Sequence, residues 1–262
     1  MKAMNIDQQK NFNKPPESYW MASTGTINYP TLNQDINVDI LIVGGGFVGI
    51  ACAYQLVKEG FKIAILEGNR ILSGATGYTT AKITSQHELI YNKIQTHMGR
   101  ELAQQYADAN QYAIKEINRI ADQHNIECDY VTESAFAFTQ QDKYIQKIED
   151  EVKAARDLGI NAAFVDEIPF NLPIKAAIRF DDQARFHPRK FTLALARYID
   201  EKGVQIYENS RAVDIEEDND GYVVTTEQGK KATAKNVIIA SHYPFYNKHG
   251  MYFSRIYVER AY

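Results

Sequence analysis

Gly44-Gly45-Gly46-Phe47-Val48-Gly49 most narrows what this chain can fold into. The six residues read G-x-G-x-x-G. They follow Val38-Asp39-Ile40-Leu41-Ile42-Val43, the nearly continuous apolar run expected of a strand buried on both faces. They open a segment that reads as a helix stopped by Gly60, and FKIAILE follows as a second buried strand. Strand, tight turn, helix, strand makes one βαβ unit of a parallel sheet. In that setting Gly44 permits the turn, Gly46 lets the backbone approach a pyrophosphate without a Cβ in the way, and Gly49 allows close helix–sheet packing. The anion would sit at the helix N-terminus, where free N–H groups and the dipole favour it. Glu67 closes the second strand about 20 residues downstream, where a carboxylate can accept hydrogen bonds from ribose hydroxyls. An acid there repels a 2′-phosphate, which argues against NADP. The fingerprint alone leaves NAD and FAD both open.

The rest of the chain alternates. Residues 1–37 are polar, contain Pro15, Pro16 and Pro30, and are expected to form an irregular N-terminal arm, with Trp20 and Tyr29 as residues that could pin it to the body. From about Gln86 to His124 the pattern is helical. Leu102, Tyr106, Ala109, Tyr112, Ala113, Ile117 and Ile120 read as its core-facing stripe. ECDYVTE and SAFAFT read as short strands, Asp142 to Leu158 as a helix capped by Gly159, and Ile174 to Phe180 as a strand. His187-Pro188 precedes a helix from Arg189 to Lys202 that Gly203 ends. VQIYENS and RAVDIEE read as strands, and the stretch from Gly221 to Ser241 as two more around a turn at Gly229.

Glu67-Gly68-Asn69-Arg70 followed by Ser73-Gly74-Ala75-Thr76-Gly77-Tyr78-Thr79-Thr80-Ala81-Lys82 resembles the D-amino-acid-oxidase-like family of FAD enzymes, which includes glycine oxidase, sarcosine oxidase and D-amino acid dehydrogenase. TTAKITSQHELIY is most similar to a subgroup with a C-terminal Rieske domain. A Rieske cluster needs two Cys and two His as ligands, a set that Cys52, Cys128 and the scattered histidines do not form. The resemblance spans about Asp39 to Ser241. It implies an α/β fold: a Rossmann-like FAD-binding lobe, residues 38–85 and 185–242, with an inserted α+β substrate lobe formed by 86–184 and 243–262. It implies FAD as cofactor. Gly44, Gly46, Phe47, Val48 and Gly49 would carry the pyrophosphate and Glu67 the ribose. Gly68, Arg70, Ser73, Thr76, Gly77, Thr79, Thr80, Ala81 and Lys82 would line the path to the isoalloxazine ring. Hydroxyls at Ser73, Thr76, Thr79 and Thr80 can bond phosphate and ribityl oxygens, while Gly77 and Ala81 leave room for a flat ring. Backbone near Val213 would touch adenine, and Ala240-Ser241 would return to the pyrophosphate.

The activity so implied is oxidation of a small amine or amino acid by hydride transfer to flavin. The alternatives are an NAD-linked dehydrogenase and a truncated, non-catalytic flavoprotein fragment. Family members run longer, so a completing chain or an oligomer is a further expectation, with little turnover from this chain alone. Catalytic residues are not identifiable. Lys82 reads either as a cation near the flavin or as a surface lysine. His87 reads as a helix-start residue before a substrate ligand, His187 as structural. Arg255, Tyr257 and Arg260 are candidates for a substrate carboxylate. Net charge is −4 with interspersed signs, which excludes a nucleic-acid footprint. No apolar run approaches a membrane span and the N-terminus is not a signal peptide. Two cysteines, Cys52 and Cys128, and six scattered histidines suggest a cytoplasmic protein with neither disulfide nor metal site.

Overall fold

A computed structural model describes residues 17–242 and Phe245. In chain order the elements are α1 (Tyr19–Ala22), β1 (Ile36–Val43), α2 (Phe47–Leu56), β2 (Ile63–Leu66), β3 (Lys82–Ile83), α3 (Tyr91–Met98), α4 (Arg100–Gln123), β4 (Val131–Thr139), α5 (Ile145–Asp157), β5 (Ala162–Val165), β6 (Ala176–Arg185), α6 (Pro188–Glu201), β7 (Gln205–Tyr207), β8 (Ala212–Asp218), β9 (Gly221–Thr226) and β10 (Lys231–Ile239). The chain divides into two compact units: the described residues up to Thr79 with those from Pro188 onward, and Thr80–His187. Arg255, Tyr257 and Arg260 lie outside the described residues.

The first unit is built on a six-stranded sheet of order β7-β2-β1-β10-β9-β8. β7, β2, β1 and β10 are parallel, and β9 and β8 extend the sheet antiparallel. β1 lies between β2 and β10 with Leu41 and Ile42 fully buried, which is the physical reason its apolar run is continuous rather than alternating. α2 connects β1 to β2 and packs on α6, with Phe47 stacked on Phe191 and Tyr54 tilted against Tyr198. Leu32, from the arm, joins Val38, Leu41, Val43, Ala64, Leu66 and Val224 in one core cluster. The arm is not wholly irregular. It carries the single turn α1, capped by Ser18, whose hydroxyl oxygen accepts from the Trp20 amide.

In the second unit β6 is the spine: β3, β4 and β5 all pair with it antiparallel. Several sequence expectations are corrected here. ECDYVTE and SAFAFT are not two strands; Val131–Thr139 is one strand, β4, with a register shift between Glu133 and Ala135. The helical stretch is two helices, parted at Gly99, whose φ of +86° no continuing helix can accommodate. The core stripe of α4 is displaced by one residue. Ala103, Ala107, Ile114 and Ala121 point inward, whereas Leu102 and Tyr112 are 46% and 65% exposed and Ala109 and Ala113 also face solvent. Small alanines let α4 lie close to Tyr91 and the β6 side chains Ile178 and Phe180, so burial follows the alanines and not the larger apolar residues. Of the expected stripe Ile120 is buried, and Tyr106 and Ile117 are half-buried.

A buried carboxylate organises this core. Glu151 of α5 is fully buried and accepts the amides of Tyr91 and Asn92, both at 2.8 Å, at the start of α3. It supplies acceptors that the first turn lacks. Desolvation pushes the Glu151 carboxyl above its ordinary range, against the pull of those amides. With the folded pKa raised, the stability from this group is fully present below the ordinary carboxyl range and is lost as pH rises through the raised value. Glu151→Ala is expected to cost about 3 kcal/mol, because two buried donors lose their partner. Glu151→Gln should flatten the decline of stability with rising pH. Denaturant unfolding across pH checks both.

Candidate functional site

The glycine turn is set by backbone packing on three sides. The Gly44 amide donates to the Leu66 carbonyl at 2.8 Å, and the Ala240 amide donates to the Val43 carbonyl at 2.8 Å. Gly44 has φ +118°, and a Cβ built on it would lie 2.7 Å from the Ala240 carbonyl oxygen and 3.0 Å from the Ser241 nitrogen. Ala240-Ser241, at the end of β10, therefore runs directly against the turn. A Cβ on Gly49 would lie 1.9 Å from the Gly44 carbonyl oxygen, so only glycine lets α2 begin this close to β1. Gly46 differs: its Cβ would meet nothing nearer than Thr76 Oγ1 at 3.5 Å. An added Cβ there would make an ordinary contact and no clash, at the N-terminus of α2, whose first-turn amides have no intrahelical acceptor and whose dipole favours an anion. Thr76 Oγ1 accepts the Phe47 amide at 2.9 Å. Val48 is 60% exposed on the same turn.

Glu67 joins this turn to the loop that follows β2. Its Oε2 accepts the Gly45 amide and its Oε1 the Asn69 amide, each at 2.8 Å. Each oxygen retains acceptor capacity for one further donor. β7 fixes the same place from the other side: Glu67 N donates to Tyr207 O, Asn209 N to Asn69 O, and Ser210 N to Glu67 O. Gly68 lies against Arg211 without crowding. Beyond it the loop turns back, with Leu72 N donating to Gly45 O at 3.1 Å and Ser73 Oγ donating to Arg70 O at 2.7 Å. A 3-10 turn, Ala75–Tyr78, brings Thr76 over Gly46. Gly77 is buried, and a Cβ there would sit 2.9 Å from both Leu72 O and Met21 Sδ. Thr79 is exposed at the end of the unit. Val213 sits in the β8–β9 irregularity between Ala212 and Asp214, out of register with β9 and 47% exposed.

Two residues at this site, Glu208 and Arg189, went unread in the sequence, and Trp20 was expected only to pin the arm to the body. Glu208, 1% exposed, accepts the Ile71 amide at 2.9 Å and pairs with Arg70 Nε at 2.7 Å. Arg70 is thereby committed to protein partners, Glu208 and the Ile27 carbonyl among them. Arg189, 3% exposed, donates to Gly25 O at 2.9 Å and to Thr24. Burial, and then the neighbouring Arg70, hold its guanidinium below its ordinary range. Trp20 Nε1 donates to Thr79 O at 2.7 Å. A signal for Glu208 existed: like Glu67 it stands immediately after a parallel strand, at the carboxyl edge where such sheets bind ligands.

Thr80, Ala81 and Lys82 belong to the second unit. Ala81 is buried with φ +62°, an uncommon conformation for a residue with a Cβ. Lys82 is exposed on β3, opposite Arg185. With Thr80, Thr84, Gln86, His87, Glu88 and Ala137 it lines a polar cavity of about 550 Å³. His87 is not at a helix start: α3 begins at Tyr91, and His87 Nε2 lies 3.4 Å from Asn110 Oδ1 in the preceding loop. His187 is buried, its amide donating to Cys128 O at 2.6 Å. Among the described residues, no group of three or more His, Cys, Asp or Glu could hold a metal ion, and no helix is long and apolar enough to cross a membrane.

Comparison with known proteins agrees with this geometry. The family model described as FAD dependent oxidoreductase, DAO, matches residues 39–246. YhfW of Bacillus subtilis strain 168, a protein named for a Rieske 2Fe-2S centre, is 39% identical over 247 residues, covering 94% of this chain and 48% of that protein. Gamma-glutamylputrescine oxidoreductase of Escherichia coli K12 is 26% identical over 230 residues, 85% of this chain and 53% of the relative. The chain thus spans about half the length of the curated relatives it matches. Among solved structures, glycine oxidase from Geobacillus kaustophilus superposes with a TM-score of 0.64 over 79% of this chain and 55% of the other, at 22% identity. At that identity the likeness shows the fold: a parallel-sheet unit of the kind seen in glycine oxidase.

The contrast between two glycines is testable without any ligand. Gly49→Ala drives a methyl into the Gly44 carbonyl and is expected to cost about 3 kcal/mol or more. Gly46→Ala meets only Thr76 Oγ1, at an ordinary contact distance of 3.5 Å, and is expected to stay within about 1 kcal/mol of the parent, the usual range for substitutions that create no clash. Thermal unfolding of the two variants checks the difference.

Proposed function

This chain belongs to the DAO family of FAD dependent oxidoreductases, and on that premise we propose that its first unit is an FAD-binding domain serving the oxidation of a small amine or amino acid. The observation that carries the cofactor reading is that Gly46 stands at the N-cap of α2, where an added Cβ would make only an ordinary contact with Thr76 Oγ1 at 3.5 Å, with Glu67 at the neighbouring strand end. These residues fit a dinucleotide. The α2 N-terminus and Gly46 would hold the pyrophosphate. Ala240-Ser241 would approach it across Gly44, and Glu67 would take the ribose hydroxyls on lone pairs that Gly45 and Asn69 leave over. Thr76 accepts from Phe47 and keeps its own proton to donate to a phosphate. The Ser73 proton is already given to Arg70 O, so Ser73 would contribute only as an acceptor. The irregularity at Val213 would offer backbone to the adenine. Gly68, Gly77 and Thr79 belong to the loop in this reading, and Thr80, Ala81 and Lys82 to its continuation toward the ring.

Bound FAD supplies a two-electron acceptor, and the protein's part is binding and orientation. The substrate class is supported by relatives whose names specify a gamma-glutamylated putrescine and glycine. Lys82, His87 and Glu88 in the polar cavity are the titratable groups we propose for substrate contacts.

Glu67→Ala is expected to weaken FAD binding by about 1–3 kcal/mol, the range for losing hydrogen bonds to a charged group; calorimetric titration measures it, and an unchanged affinity would remove Glu67 from the site. Gly46→Val should abolish FAD binding while circular dichroism shows the fold retained. The activity is tested by dye reduction or peroxide formation with glycine, D-amino acids, N-methyl amino acids and diamines. Reduction of bound flavin by at least one of them is expected; a flavin-loaded protein inert to the whole panel contradicts the substrate class.

A further inference from the structure

The segment Ser18–Leu32 has little structure of its own, one helical turn and no strand, yet the body of the first unit grips it at successive points. Trp20 donates to Thr79 O. Met21 Sδ lies against Gly77. Arg189 holds the Gly25 carbonyl and Thr24, and Arg70 holds the Ile27 carbonyl and Asn28. The amide of Tyr29 donates to Glu208, the amide of Glu208 donates to Pro30 O, and the amide of Leu32 donates to Ser210 Oγ. The body residues that do the gripping include three of the candidate cofactor loop. Arg70, Gly77 and Thr79 lie in it, and Glu208 carries it through the Ile71 amide.

We propose that Ser18–Leu32 is a retention strap for the dinucleotide, holding the loop from Arg70 to Thr79 closed, with Trp20 as the positioning residue at its far end. The inference rests on the FAD reading of that loop and adds what keeps it shut. The loop's internal ties include Ser73 N and Ser73 Oγ to Arg70 O and Gly77 N to Gly74 O, with Leu72 N to Gly45 O and Phe47 N to Thr76 Oγ1 joining it to the glycine turn. They hold its beginning and middle. At Thr79 the indole of Trp20 supplies the donor, so the strap closes the end nearest the flavin in this reading. Arg189 explains why the strap stays down: its guanidinium is buried and finds the strap's Gly25 carbonyl and Thr24 hydroxyl as acceptors, so lifting the strap strips a buried cation of partners. Linkage makes the effect reciprocal: by whatever factor the strap tightens FAD, FAD tightens the strap.

The test uses the full chain with Trp20→Phe, which keeps a ring and removes the N–H, and Asn28→Ala, an exposed change that takes one acceptor from Arg70. FAD release is followed by recovery of flavin fluorescence. Amide hydrogen exchange at Leu72 and Gly77 is read in the apoprotein, beside that of β1. Trp20→Phe is expected to release FAD about 5- to 10-fold faster, the effect of one net hydrogen bond. It should speed exchange at Gly77 while β1 exchange and the apoprotein melting temperature hold. Asn28→Ala should act in the same direction and less. Unchanged release and loop exchange overturn the strap, and so does a parallel fall in β1 protection, which would mark a general role in folding. If the parent chain binds no FAD, the cofactor reading fails by itself, and the apoprotein exchange still decides whether the strap holds the loop.

Discussion

A single carboxylate ties the first unit's binding edge together. Glu67 stands where β2 ends, and its two oxygens accept from Gly45 on one loop and Asn69 on another. The Thr76 hydroxyl, accepting the Phe47 amide, adds a second side-chain link between the glycine turn after β1 and the loop after β2. Two short charge-assisted hydrogen bonds at a half-buried carboxylate are strong enough to hold both in one geometry. Glu208 repeats the device at the end of β7, where it takes the Ile71 amide and the Arg70 side chain. Adjacent parallel strands thus end in acids that organise the loops above them. The crevice at the carboxyl edge of such a sheet is where ligands of this architecture bind.

The packing behind the edge shows which glycines the fold itself requires. Gly44 and Gly49 are required by neighbouring backbone, at distances where any Cβ collides. At Gly46 an added Cβ would make only an ordinary contact, 3.5 Å from Thr76 Oγ1, so packing does not demand glycine there. Its smallness at the N-terminus of a helix accords with the proposed approach of an anion. The family assignment and the dinucleotide fingerprint accord with that proposal.

How much of this was legible in the sequence depended on how local the cause was. β1, α2 and β2 were readable because a continuous apolar run, a glycine turn and a second run follow within thirty residues or so and need no distant partner to be understood. α6 and its stop at Gly203 were readable for the same reason, Gly203 having φ +90°. β3 and β5 were not read as strands: they have two and four residues, too short for a pattern, and exist through pairing with β6, which for β3 lies about a hundred residues away. The α4 stripe was misphased by one residue, because its inward face is set by packing on the core around Tyr91, which no local pattern reports. The candidate site divides likewise. Glu67 and the glycines announced themselves by spacing, whereas Arg189 and Glu208 act across 164 and 137 residues of separation, Glu208 marked only by its place after a strand, and the partner of Trp20 lies 59 residues away.

The central claim is that this edge is an FAD site shaped before the cofactor arrives. Calorimetric titration of the purified, flavin-free chain with FAD, and separately with NAD, tests it most directly. The account predicts saturable binding of one FAD per chain and far weaker binding of NAD. No saturable binding of FAD, or binding of NAD with equal affinity, would contradict it.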